Sequence, residues 1–215
     1  MKTEVIEKVE DNASLAYKFI KRAFDILASA VALIILLPIL LIIALVIYID
    51  DPHGSPLFTQ IRVGKNCEEF KLYKFRTMYM NAEKIIGELE NENEMDGPVF
   101  KIKNDPRITR VGRVLRKTGI DELPQLLNII KGDMSVVGPR PALPREVALY
   151  SERDKQRLMI TPGLTCIWQV QPKRNTISFD EWMKMDIEYI QNRTLWLDLK
   201  LIFMTVACVL RSEGM

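Results

Sequence analysis

The sequence predicts an α+β chain, predominantly helical, in which a proline-broken N-terminal membrane helix leads into a membrane-surface domain with a small β-hairpin and amphipathic helices. Three observations predict it. Ile26 to Ile49 carries no charged residue and holds Pro38 near its middle. Leu57–Val63 and Phe70–Phe75 alternate around Gly64-Lys65-Asn66, a short hairpin signal. Arg110, Arg113 and Lys117 fall at i, i+3 and i+7, one face of a helix, and Leu195–Leu210 is an apolar stretch of helical length.

In chain order, residues 1–17 form a polar N-terminal lead, and residues 18–50 an amphipathic approach and the membrane helix. Residues 51–215 form one domain, long enough for a real core. The amphipathic stretch covers 16–25. The uncharged run after it is long enough to span a bilayer, which takes about 20 apolar residues. It is too long for a signal-peptide core, begins too far from Met1, and ends without a small-x-small cleavage site. A central proline removes a backbone hydrogen bond and clashes with the preceding turn. The run is therefore a kinked spanning helix or a re-entrant one. Lys18, Lys21 and Arg22 place the N-terminal flank in the cytoplasm. A crossing helix would put everything after Asp50 outside, whereas a re-entrant helix keeps both flanks inside.

Pro52 to Pro56 reads as a turn before the hairpin. Residues 83–96 are acidic and read as a solvated helix or loop. Residues 101–117 reverse the sign, with Lys101, Lys103, Arg107, Arg110, Arg113, Arg116 and Lys117 against Asp105. Leu195–Leu210 contains Asp198 and Lys200, so it reads as a core helix or one lying in the membrane interface. Trp168, Trp182 and Trp196 suit interfacial anchors and core positions equally. There is no internal repeat and no long linker.

Composition excludes several classes. A net charge of +2 lacks the basic excess of a nucleic-acid binder. Cys67, Cys166 and Cys208 are odd in number and scattered, so they form no disulfide framework and read as reduced packing residues. None has a cysteine or histidine partner at metal-ligand spacing, and the single His53 sits in a loop-like stretch, which argues against zinc or haem.

Two constellations could carry chemistry. Asp121-Glu122 stands two residues before Pro124, at or near a helix N-terminus. There, acids serve equally well as simple caps. Phosphoryl transfer, however, needs cations on the phosphate oxygens, often a divalent metal, and an in-line nucleophile. An adjacent acid pair divides that labour: one carboxylate attacks or binds metal while the other handles a proton. The arginines just upstream, Arg113 and Arg116 among them, offer phosphate clamps. Gly132 to Pro141 then forms a tight Gly/Pro-rich loop with Arg140 held between Pro139 and Pro141. Arg22, before the apolar run, suits a lipid phosphate or plain anchoring.

KRAFD (21–25), YKFRTM (73–78), DPRITRVGRVLRKTGIDELPQL (105–126), KGDMSVVGPRP (131–141) and TPGLTCIWQV (161–170), taken in order, resemble the bacterial sugar transferases. These are the monotopic phosphoglycosyl transferases, or polyprenyl-phosphate hexose-1-phosphate transferases. The resemblance runs from about Lys18 onward and is closest to the small, catalytic-domain-only form. It implies a re-entrant membrane helix and a cytoplasmic, membrane-surface catalytic domain on the bacterial inner membrane. It implies a two-step reaction. Asp121 attacks the sugar-linked phosphate of a UDP-sugar, UMP leaves, and undecaprenyl phosphate takes up the phosphosugar. Glu122 matches the second acid, as proton acceptor or orienting group. Mg2+ would sit near Asp121. Lys74, Arg116 and Arg140 match basic positions around the phosphates, and Pro141 belongs to the loop that shapes the site.

The sequence departs from the family pattern at Leu37, where serine is frequent before the proline, and at Cys166, where glycine is usual. The longer segment between YKFRTM and DPRIT suggests galactose or glucose as the sugar, with Pro162 to Trp182 the region for selectivity. Expected partners are the UDP-sugar, undecaprenyl phosphate and the lipid bilayer, with no nucleic acid. A homodimer is open to the apolar helices but nothing requires it. The pathway by analogy is surface or exopolysaccharide assembly. Three rivals remain: a membrane-anchored module that binds anionic lipid without turnover, a nucleotide-sugar hydrolase, and a glycosyl transferase that moves the sugar alone.

Overall fold

A computed structural model describes residues 9–80, 82, 97–98, 102, 105–172 and 176–211. The acidic run 83–96, with Lys101 and Lys103, lies outside them. The chain is mainly helical, with a hairpin where expected. Helix α1 (Leu15–Asp50) opens it, 36 residues long, with the Ser14 hydroxyl accepting from the Tyr17 amide at 3.1 Å. The amphipathic stretch and the apolar run are thus one helix, continuous through Pro38. Leucine, isoleucine and alanine flank the proline on both sides, and these side chains carry helical turns past the one missing N–H.

β1 (Leu57–Val63) and β2 (Glu69–Phe75) form the antiparallel hairpin, Leu57 opposite Phe75 and Val63 opposite Glu69. Asn66 and Cys67 take positive φ in its turn. Helix α2 (Arg110–Thr118) starts on the Thr109 side-chain cap and stops at Gly119 in the left-handed region. A 3-10 turn, Ile120–Gln125, runs directly into α3 (Leu126–Lys131). The Gly132–Pro141 segment, read from sequence as a loop, contains strand β3 (Ser135–Val137). Short helices α4 (Pro144–Val147) and α5 (Glu152–Lys155) follow. Strand β4 (Gly163–Thr165) then pairs with β3 in parallel. Helices α6 (Phe179–Asn192) and α7 (Leu195–Leu210) close the chain.

The parallel pair was illegible in sequence because three residues show no alternation. Its tight approach depends on glycine: a Cβ on Gly163 would lie 2.0 Å from the Gly138 nitrogen.

Among the described residues three apolar clusters make the core, and α1 takes part in two. Ala32 and Leu33 pack on Leu72, Leu126, Ile129 and Met134. Leu40, Ile43, Ala44 and buried Ile47 pack with Phe75 and Leu115. The third cluster joins Val137, Ile160, Val170, Tyr189, Ile190 and Leu201. The rest of the α1 surface is apolar and exposed, as at Ile34, Ile35, Leu41, Ile42 and Ile49. Trp196, Phe203, Val206 and Leu210 give α7 a second such face. Trp196 is thereby exposed, whereas Trp168 is buried and stacks on Trp182 with centroids 4.1 Å apart.

Polar contacts fix α1 to the domain on both sides of Pro38. Before it, the Arg22 guanidinium donates to the carbonyls of Ile129 and Ile130 at 2.6 and 3.0 Å, and the Val136 amide donates to Asp25 at 3.1 Å. After it, Asp51 pairs with buried Arg76 at 3.2 Å. At the N-terminal end, Asp198 of α7 accepts from the Tyr17 hydroxyl at 2.8 Å, Lys21 at 3.0 Å and the Tyr189 hydroxyl at 2.6 Å.

Candidate active site

Asp121 and Glu122 occupy the first turn of the 3-10 segment. Gly119, at φ +71°, turns the chain sharply between α2 and that segment, a conformation L-residues rarely take. The turn lies against β2. Fully buried Asn128 fixes that contact: its side-chain carbonyl accepts from the Tyr73 amide at 3.0 Å, and its amide donates to the Lys71 carbonyl at 2.7 Å and to Asp133 at 3.0 Å. The amide side chain thus stands in for a neighbouring strand on β2.

Period 2 along β2 puts Leu72 and Lys74 on one face. Lys74 donates to Glu122 at 2.8 Å, and Arg140, from the loop after β3, reaches the same oxygen at 3.4 Å. Arg116 of α2 donates through Nε to the Thr77 hydroxyl at 2.9 Å. Lys74, Arg116 and Arg140 all act electrostatically on Asp121.

The two acids are shifted in opposite directions. Burial would push Glu122 up, but Lys74 and then Arg140 outweigh it and hold the carboxyl down at about 2. Burial dominates at Asp121 and raises it, with Lys74 pulling the other way and Glu122 adding to the rise. Burial likewise lowers Lys74, opposed chiefly by Glu122. Asp121 is 6% exposed, and among the described residues no group donates a hydrogen bond to its carboxylate. One carboxylate is pinned and ionised. Its neighbour is left open to an incoming atom.

No cluster of three acids, histidines or cysteines occurs among the described residues. Magnesium commonly takes one or two carboxylates and completes its shell with water and substrate phosphate oxygens. Asp121, with no donor on it among the described residues, fits that role, and Glu122, held by two cations, does not.

Of the residues singled out in sequence, Asp121, Glu122, Lys74, Arg116, Arg140 and Pro141 come together. Pro141, with Arg140, lines the cleft beside Glu122. Arg113 stands on the exposed side of α2 with Arg110 and Lys117, whereas Arg116 on the same helix turns inward and Arg107 before it is buried against Asp105. Arg22 caps the C-terminal carbonyls of α3. Four contributors were not singled out: Arg62, Gln125, Arg157 and Asn128. Arg62 and Gln125 line the cleft, and Arg157 donates to the Arg140 carbonyl at 2.8 Å while paired with buried Asp186 at 2.6 Å. Alternation along β1 puts Gln60 and Arg62 on one face, a signal that was present. Asn128, inside Leu-Leu-Asn-Ile-Ile, was legible as a polar residue in an apolar run.

Fold and site together define a class: a domain clamped to a long apolar helix, with an acidic pair under half-buried cations suited to holding phosphate. The sequence model of the bacterial sugar transferases matches residues 16–212, and the chain belongs to that family. It is 44% identical over 199 residues to the exopolysaccharide production protein ExoY of Rhizobium meliloti, covering 90% of this chain and 87% of that one. It is 43% identical over 194 residues to the galactosyl transferase CpsE of Streptococcus agalactiae, covering 90% of this chain and 43% of CpsE. It is 42% identical over 215 residues to the undecaprenyl-phosphate galactose phosphotransferase of Salmonella typhimurium, at 96% and 44%. The chain therefore spans less than half the length of the last two.

Proposed function

We propose that the chain transfers a hexose-1-phosphate, galactose or glucose, from its UDP-sugar to undecaprenyl phosphate, releasing UMP in the first membrane step of exopolysaccharide assembly. The observation that carries this reading is the unequal acid pair. Asp121 attacks the sugar-linked phosphorus and holds the phosphosugar as an acyl phosphate. A buried carboxylate without hydrogen bonds is poorly solvated, which favours attack. Glu122, held down at about 2, takes up no proton near neutral pH, so it orients Lys74 and Arg140 rather than serving as a base. Those cations and Arg116 face the charge that builds on the phosphate oxygens. Magnesium, held by Asp121 and the phosphates, would neutralise part of that charge. The name of the Salmonella relative supports both undecaprenyl phosphate as acceptor and galactose as sugar.

The same proposal makes α1 re-entrant and the domain cytoplasmic. A straight helix of this length would run about 54 Å, and Asp25 and Asp51 would lie about 39 Å apart along it. The hydrocarbon core is about 30 Å thick. Yet both residues bond to the one folded domain. That supports a helix whose two ends stay at one membrane face, with its exposed apolar side in lipid.

The test is turnover by purified protein with undecaprenyl phosphate, Mg2+ and a panel of UDP-sugars. With the right sugar, UMP reaches one equivalent per enzyme without lipid and turns over when lipid is added. Asp121→Asn abolishes both. No UMP from any sugar, with folded protein, favours a lipid-binding module. UDP in place of UMP indicates sugar-only transfer.

A further inference from the structure

Three cations converge on the cleft beside the acid pair: Arg62 from β1, Lys74 from β2 and Arg140 from the loop after β3. Glu122 is the carboxylate among the residues lining it, and Asp121 acts on Lys74 beside it, so three cations face two carboxylates. Buried charges are ordinarily paired. Arg62 is held in place on two sides, its guanidinium donating to the Pro141 carbonyl at 2.9 Å and the Gln60 side chain at 2.8 Å. Its Nε–H is shut off from solvent and meets no acceptor. Burial, with Arg140 alongside, lowers Arg62 to about 10 against the opposing pull of Glu146 and Glu122. A guanidinium held in the wall of the cleft beside two other cations suits an anion.

The charge and the chemistry indicate which anion. A phosphate monoester carries about −1.5 to −2 near neutral pH, and three cations against two carboxylates leave a net positive charge to meet it. In the reaction proposed above, a carboxylate oxygen of Asp121 bonds to the sugar-linked phosphorus. The bond from that phosphorus to the bridging oxygen breaks, and its electron pair leaves with UMP. In the second step an oxygen of the lipid phosphate bonds to the same phosphorus, and the electron pair of the Asp121–phosphorus bond returns to the carboxylate. Both displacements are in line, so the leaving and the entering group each lie opposite Asp121. Each is a phosphate monoester.

We propose that Arg62, Lys74 and Arg140 form a single phosphate-monoester subsite, filled first by the departing nucleotide monophosphate and then by the lipid phosphate, with Arg62 a direct ligand in both steps. The proposal rests on the covalent reading of Asp121.

The experiment uses the full chain in lipid nanodiscs and two variants, Arg62→Gln and Arg62→Lys. Binding of UMP is measured by calorimetry in an Asp121→Asn background, where no covalent step interferes. The KM for undecaprenyl phosphate is measured with Asp121 intact. Arg62→Gln is expected to weaken UMP binding and raise the lipid KM by the same factor, about 10–100-fold for one charge-assisted hydrogen bond. Arg62→Lys, which keeps the charge, is expected to lose less in both. If Arg62→Gln does not fold, Arg62→Lys carries the comparison alone. A change in one ligand without the other overturns the shared subsite. A fall in kcat with UMP binding unchanged makes Arg62 a scaffold for Pro141 and overturns its role as ligand. If the unaltered enzyme releases no UMP from any sugar, the transferase reading fails. The UMP measurement still reads the cleft independently, and equal binding with and without Arg62 overturns the subsite on its own.

Discussion

Asp121 and Glu122 are adjacent in the chain and opposite in electrostatic circumstance. Lys74 and Arg140 take hold of Glu122, and burial acts on Asp121 without a compensating hydrogen bond. An acid whose folded pKa lies above its unfolded value costs stability once it ionises. That cost is absent below the unfolded value of 3.8, grows as pH rises above it, and levels off when Asp121 is ionised in the folded state too. Asp121→Asn is therefore expected to raise the melting temperature at neutral pH while abolishing turnover, and to give no such gain in strong acid. Each kcal/mol relieved corresponds to about 2–4 °C for a chain of this size. Melting curves of both proteins across pH check this, and a lower melting temperature for the variant at neutral pH would overturn it. Glu122 has the opposite sign. Its depressed value contributes stability above the unfolded value of 4.5, and that contribution is lost as pH falls toward about 2.

At the scale of elements, the site exists because β2, α2 and the 3-10 turn approach closely. α2 sits on the end of β2 through Gly112, where a Cβ would lie 2.1 Å from the Thr77 carbonyl oxygen. Thr77 is also the residue that Arg116 grips. Gly112→Ala is expected to push α2 off its seat. Overpacking costs about 1–3 kcal/mol, so the melting temperature falls and UMP release drops as Arg116 moves. Normal turnover in that variant would show that α2 need not be seated there. Much of this arrangement was legible beforehand. The hairpin announced itself by alternation, α7 by its apolar length, and the acid pair by its place before Pro124. The β3–β4 pairing and the inward turn of Arg116 were not legible, since both follow from packing between segments far apart in sequence. Periodicity put Arg110, Arg113 and Lys117 together, and that face is the exposed one. Arg62 lay on a strand that could be read, but only the bridge between Val63 and Ala142 shows what stands opposite it.

For the whole molecule, α1 is anchor and core wall together. Its two ends meet the same domain, so the proposed topology has a direct test. Single cysteines are placed at Glu10 and His53, both exposed, in a background lacking Cys67 and Cys208. A membrane-impermeant maleimide is expected to label neither in intact cells and both after permeabilisation. Labelling of His53→Cys from outside would remove the re-entrant helix. The bond between Tyr17 and Asp198 joins residues 181 apart in the chain. A ribosome adding about 5–20 residues per second needs roughly 10–35 s to cover that distance. Throughout that interval α1 is already made, while the carboxylate that will receive Tyr17 and Lys21 has yet to be synthesised. The contacts of Tyr17 and Lys21 are thus fastened long after α1 itself is made. The emergence of Asp198 in α7 completes the ties on α1, and a chain stopped before that residue keeps the Arg22 and Asp25 contacts but lacks those of Tyr17 and Lys21.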